Sequence, residues 1–144
     1  MDSLDLTKQP PRAPREPLAD LDVLMAARSV DKIRATLPGG DLGDYRIEGF
    51  TTRFFEILKI DEDDFRSAVT LAQSDADVAA WLRRHCTPEQ FAEVNRVIGE
   101  RRLRDRIGDP SFRDRYPTAG EFPLDMQMID LLPLDDEHAF RANR

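Results

Sequence analysis

Apolar positions recur along this chain at helical spacing, and no stretch sustains the alternation of a strand. From about Leu21 to Leu37, an advance of about 100° per residue puts Val23, Ala26, Ala27, Val30, Ile33 and Leu37 on one arc. Pro38-Gly39-Gly40 must end that helix, and Gly43-Asp44-Tyr45 completes a glycine-rich connection. Thr51 or Thr52 is placed to cap a short helix carrying Phe54, Phe55 and Leu58. Asp61 opens a segment in which Phe65, Ala68, Val69 and Ala72 share a face. Ser74 and Asp77 resemble a capping box ahead of Val78, Trp81 and Leu82. The strongest local signal is Thr87-Pro88-Glu89-Gln90: a cap, proline at the first helical position and glutamine at the third. Asp109-Pro110 repeats the cap-and-proline logic through Tyr116, and two further short helices are expected around Met126–Leu132 and Asp135–Phe140. Tyr45-Arg46-Ile47 is long enough only for a bridge.

The first 17 residues behave differently, because Pro10, Pro11, Pro14 and Pro17 fix φ and remove amide donors. The expected fold is therefore all-α: an extended Pro-rich arm over 1–19 and a compact single-domain bundle of short helices over 20–144. A length of 144 residues with 40% hydrophobic content suits one such core.

Charge narrows the function. Acids outnumber bases 28 to 21, for a net charge of −7, which argues against a nucleic-acid binder. No apolar run reaches the roughly 20 residues a membrane helix needs, and the start lacks a signal peptide's basic region. The single cysteine, Cys86, with only His85 and His138 beside it, excludes a Cys/His metal cage. A cytoplasmic, metal-independent domain without a cofactor is the expectation.

The first helix carries the candidate chemistry. Arg34 falls inside its apolar arc, and Asp31, three residues earlier, is the natural partner of a guanidinium directed towards a core. Arg28 and Lys32 project from the opposite side, where Lys32 is expected to pack against little. The pair Asp31–Arg34 either orders the glycine-rich turn or, with Lys32, reaches a ligand pocket. Lys32 gains weight because the chain holds 18 arginines and three lysines, and lysine changes protonation when desolvated.

Pro14-Arg15 with Leu18, Asp31-Lys32-Ile33-Arg34-Ala35, and Gly43-Asp44-Tyr45 together resemble an uncharacterised bacterial domain-of-unknown-function family. That family has a Pro-Arg arm, an Asp-Lys-x-Arg-Ala helix and a Gly-x-Tyr turn in this order. Phe54 to Leu58 and Asp77 to Trp81 extend the match, which covers roughly residues 10 to 98. Where the family often has Cys-Pro-Leu-Asp after the tyrosine, Gly49-Phe50-Thr51-Thr52 stands here. The resemblance implies a shared helical fold and a motif centred on Asp31, Lys32, Arg34 and Tyr45. It implies no activity.

Other constellations are weaker. His85 and Cys86 are neighbours in sequence and so point about 100° apart on a helix, which does not make a nucleophile–base pair. The arginines from Arg96 to Arg106 are interrupted by Glu100 and Asp105 and read as a solvated face. Asp61, Asp63 and Asp64 fail as a calcium loop, since Arg66 stands at the glycine position and Ala72 at the closing glutamate. Two functions remain. One is a small-molecule-binding domain, or an enzyme using acid–base chemistry on an anionic metabolite. There Arg15, Arg28 and Arg34 bind the anion and Asp31, Lys32 and Tyr45 do the chemistry. The other is a helical interaction or regulatory module without catalysis.

Overall fold

The computed structural model describes residues 1–142, except the side chain of Ala142. Seven helices follow in order: α1 (Ala26–Ala35), α2 (Phe50–Leu58), α3 (Glu62–Leu71), α4 (Asp75–His85), α5 (Pro88–Glu100), α6 (Pro110–Arg115) and α7 (Met128–Ala142). Among the described residues there is no strand, only three isolated bridges such as Asp5 with Asp41. The fold is all-α.

Three of the caps read from sequence, Asp61, Thr87 and Asp109, form as expected. The Asp61 side chain accepts from the amides of Asp63 and Asp64, and Asp109 accepts from Ser111. Thr87 and Gln90 close a reciprocal box at the start of α5. At Ser74 the helix begins on time, but the side chain makes no cap bond; Asp77 instead accepts from the Gln73 amide at 2.8 Å.

Three local expectations need correction. Helix α1 starts at Ala26, not near Leu21, because Met25 sits in the left-handed region at φ 71° and gives its amide to the Pro14 carbonyl at 2.9 Å. The turn before it, closed by Leu18 and Leu21, buries Leu21 and Val23 without a helix. Helix α2 starts at Phe50 behind Gly49, whose φ of 62° and ψ of −126° suit glycine alone. Thr51 is consequently not a cap but a buried residue whose hydroxyl lies 3.5 Å from that of Ser29. The two short helices expected after Met126 are one, α7, which runs through Pro133.

Helix α2 packs on α5, α1 on α3 and α2, α3 on α4, and α5 on α7. Phe54, Phe55, Phe65 and Trp81 form the aromatic centre, with Phe55 and Phe65 ring centroids 5.3 Å apart, edge to face. A smaller cluster of Leu103, Phe112, Ala119, Met128 and Leu131 sits under α6 and the start of α7. The Pro-rich arm holds no helix but turns at 6–8 and 14–15, and it is part of the packing: Leu6 and Leu18 are fully buried and the Leu6 amide bonds the Asp41 carbonyl.

Candidate functional site

Helix α1 lies at the centre of the molecule, and every residue of it except Arg34 is buried. A helix covered on all sides must satisfy its polar side chains internally. This is why Arg28 and Lys32, on the side away from the apolar arc, are not solvated. Lys32 packing against little was therefore the wrong expectation; its residue is 5% exposed.

On the side facing the arm, Asp31 keeps the expected ion pair with Arg34 at 3.9 Å and takes a closer partner from the arm. Its carboxylate accepts from the backbone amide of Arg12 at 2.7 Å and from the Arg12 guanidinium at 3.0 to 3.2 Å. Arg12 simultaneously holds Asp75 at the start of α4, at 2.8 and 3.1 Å. Burial opposes the Arg12 charge, but the bonds to Asp75 and Asp31 outweigh it and raise its pKa. Arg34 is half-buried, lies 3.9 Å from Asp31, and donates through Nε to the Asp2 carbonyl at 2.8 Å. It braces the chain's first residues and pairs with Asp31 only at its edge, without the deep burial expected of it.

The adjoining face, about 60° round the helix, forms a second cluster. Arg28 makes a two-pronged ion pair with Asp136 of α7, at 2.8 and 3.1 Å, with side chains 3% and 7% exposed. The Tyr45 hydroxyl donates to the same carboxylate at 2.8 Å, and the Arg28 guanidinium lies over the Tyr45 ring at 5.7 Å. Arg28 also donates to the Arg12 carbonyl at 3.3 Å, which ties the two sides of α1 together. Its Nε has no acceptor.

Lys32, one turn after Arg28, donates to the Arg46 carbonyl at 3.0 Å and has no ion pair among the described residues. Burial pulls its pKa down to about 7, helped by the charges of Arg28 and Arg115 and opposed by Asp136. Burial and the Asp136 charge push the Tyr45 hydroxyl far above its ordinary range, so it stays a donor. Asp135 is raised too, by burial first and then by the Asp136 charge. Arg115, at the end of α6, is paired with Glu48 of the loop before α2.

Of the six residues singled out, the structure gathers Arg28, Lys32 and Tyr45, and sets Asp31 on the adjoining face of the helix, against Arg12. Arg15 stands apart, exposed and paired with Asp130 at 2.7 Å and with Gln127. Asp136 is the central residue that the sequence reading missed. It lies on the stripe Met128, Leu132, Asp136, four residues apart each time, and a carboxylate on an apolar stripe is the signal that would have found it. Breaking α7 at Pro133 hid the stripe.

Beside the cluster an open cleft of about 690 Å³ runs between arm residues 8–16 and the second half of α7. Arg12 and Asp136 stand in its wall, and Arg28 bonds both of them from behind. Among the described residues no three His, Cys, Asp or Glu side chains group to hold a metal, and no helix is long and apolar enough to cross a membrane.

No curated protein matches the chain. A family model described as a domain of unknown function (DUF5069) matches residues 8–138, from the arm to just past Asp136. That span runs further in both directions than the 10–98 carried by the motifs, and it covers both sides of α1, so the chain belongs to the DUF5069 family.

Proposed function

We propose that this protein is a small-molecule-binding domain that takes an anionic metabolite beside α1 and acts on it by acid–base chemistry. One observation carries the reading: Lys32 is buried with a single carbonyl acceptor, next to an arginine whose Nε is unpartnered. A buried cation without a carboxylate is costly and is retained more readily where a ligand completes it. In this reading Lys32, ionising near neutrality, takes up and returns a proton. Tyr45 stays protonated and donates, while Asp136 holds both Tyr45 and Arg28 in position. Arg28 and Arg115 supply the permanent positive charge. Arg15 and Arg34 leave the site, and Asp31 has its carboxylate engaged by Arg12.

The test is thermal unfolding of the full chain in a panel of small carboxylates and phosphates. A ligand at about 100 times its Kd stabilises by about 2.7 kcal/mol. Replacing Lys32 by Met should weaken that ligand by at least about 1.5 kcal/mol, the lower range for a hydrogen bond to a charged group. The competing reading, an interaction module, draws on Leu71 of α3, which is 84% exposed beside Trp81 of α4. Unchanged melting across the panel, with self-association or partner binding abolished by Leu71→Ser, would favour that reading instead.

A further inference from the structure

Lys32 is a poor point charge in this position, since its surroundings favour the neutral amine. The neighbouring arginines already provide positive charge. The arrangement thus separates two roles that one protonated lysine would otherwise combine: permanent cations to attract an anion, and an amine lone pair free to react. Arg28, 3% exposed, keeps an unpartnered Nε one turn from Lys32 on the same helix. Arg115 acts on Lys32 from α6, and Asp135 and Asp136 from α7 bound the cluster with Tyr45 and Glu48.

Access follows from the segment that covers the amine. The chain from Gly43 to Gly49 crosses above Lys32 and supplies the Arg46 carbonyl to Nζ. Its two ends are glycines at φ 58° and 62°, a region other residues rarely enter. Arg46 itself is exposed. Three side-chain links fasten the cover: Tyr45 to Asp136, Glu48 to Arg115, and Lys32 to the Arg46 carbonyl. An anion drawn to Arg28 and Arg115 competes for the second and leaves the third free to break.

Resting on the binding reading above, we propose that Lys32 is a covalent site for small 2-oxo acids, its amine adding to their carbonyl carbon while Arg28 and Arg115 hold their carboxylate. The new bond joins Nζ to the carbonyl carbon. The carbonyl oxygen leaves as water with the two protons lost from the amine, and an imine remains. No oxidant or reductant is consumed.

The chain makes this direct to test, because it has three lysines and the other two, Lys8 and Lys59, are exposed. The full protein is incubated at pH 7 with glyoxylate and cyanoborohydride, which reduces an imine to a stable carboxymethyl amine. Proteolysis and mass spectrometry then assign the label. Lys32 is expected to gain one carboxymethyl group at least about tenfold faster than Lys8 or Lys59, which have no arginine-lined site to hold the carboxylate. Equal labelling of the three lysines at pH 7, or labelling of Lys8 and Lys59 alone, overturns the proposal. Glycolate, which has the carboxylate but no carbonyl, separates the two readings. If glycolate raises the melting temperature of the wild type but not of Lys32→Met, and Lys32 stays unlabelled, the binding site stands and the covalent step falls. Labelling of Lys32 without any effect of glycolate keeps the covalent step and removes acid–base binding of anions in general.

Discussion

The two polar sides of α1 are built from similar residues and solve the same problem differently. Towards the arm, one arginine meets two carboxylates: Arg12, with its side chain 27% exposed, is shared by Asp31 and Asp75. Charges there are matched, and the group that closes the network comes from the arm. Towards α7, Arg28, Lys32 and the nearby Arg115 face Asp136 with both partners of its ion pair under 10% exposed, and an arginine nitrogen is left over. The first side is a clasp, complete in itself. The second is incomplete, and it is the second that has a reason to meet a ligand. The proposed site rests on this unmatched buried charge and not on burial alone.

Removing the central carboxylate of the α7 side should have the largest effect. Asp136→Asn leaves Arg28 with a neutral partner and should cost about 3–5 kcal/mol in chemical denaturation. A loss below 1 kcal/mol, on the order of an exposed pair, would show that this ion pair is not buried. Next comes the pH dependence of Lys32. Its folded pKa of about 7 lies below the value of 10.5 for the free side chain. Between those values the unfolded chain binds the additional proton, so stability rises with pH from about 7 towards 10. Above about 10, Tyr45 reverses the trend, because its raised pKa makes the folded state hold the proton that the unfolded state releases. Lys32→Met should be more stable than the wild type at pH 6, and the gap should close by about 2–4 kcal/mol by pH 10. A gap independent of pH would mean that Lys32 is solvated and the contrast between the two sides is lost.

On the clasp side, Asp31→Asn keeps the shape and removes the charge, and Arg12 retains Asp75. The expected loss is smaller, about 1.5–3 kcal/mol, in the range for hydrogen bonds to a charged group. Unlike the Lys32 variant, it should leave ligand-induced stabilisation unchanged. Thr87→Ala, at the cap of α5 and away from both sides, sets the scale at about 1 kcal/mol with no ligand effect.

Helix starts marked by local chemistry were readable from the sequence. Asp61, Thr87 and Asp109 cap their helices with bonds spanning two or three residues, so nothing distant decides them. The start of α1 was not readable, because a left-handed Met25 is held by the Pro14 carbonyl, a contact that exists only once the arm has docked. The site was half readable. Lys32, Arg28 and Tyr45 were singled out, but Lys32 was assigned to solvent because an amphipathic arc implies one wet face. Here the wet face is roofed by α7 and by the Gly43–Gly49 segment. Asp31 was correctly read as an ion-pair residue and given the neighbour three positions away. Its better partner, Arg12, is 19 residues distant. Residues far apart in sequence complete both networks, and pairing at such separations leaves no local pattern.

Pro133 has no amide to offer the Ile129 carbonyl, so the hydrogen-bond ladder of α7 is interrupted one turn before Asp136. The residues from Leu134 onward are thereby loosened from the first turn of their own helix, and their docking leans on the grip of Arg28 on Asp136. In amide exchange this divides α7 into two cooperative units. The protons of Ile129 to Leu132, over the second hydrophobic cluster, exchange with global unfolding, whereas those beyond Asp136 report the Arg28 ion pair. A ligand that tightens Arg28 therefore slows exchange at the far end of α7, a signal readable without knowing the reaction.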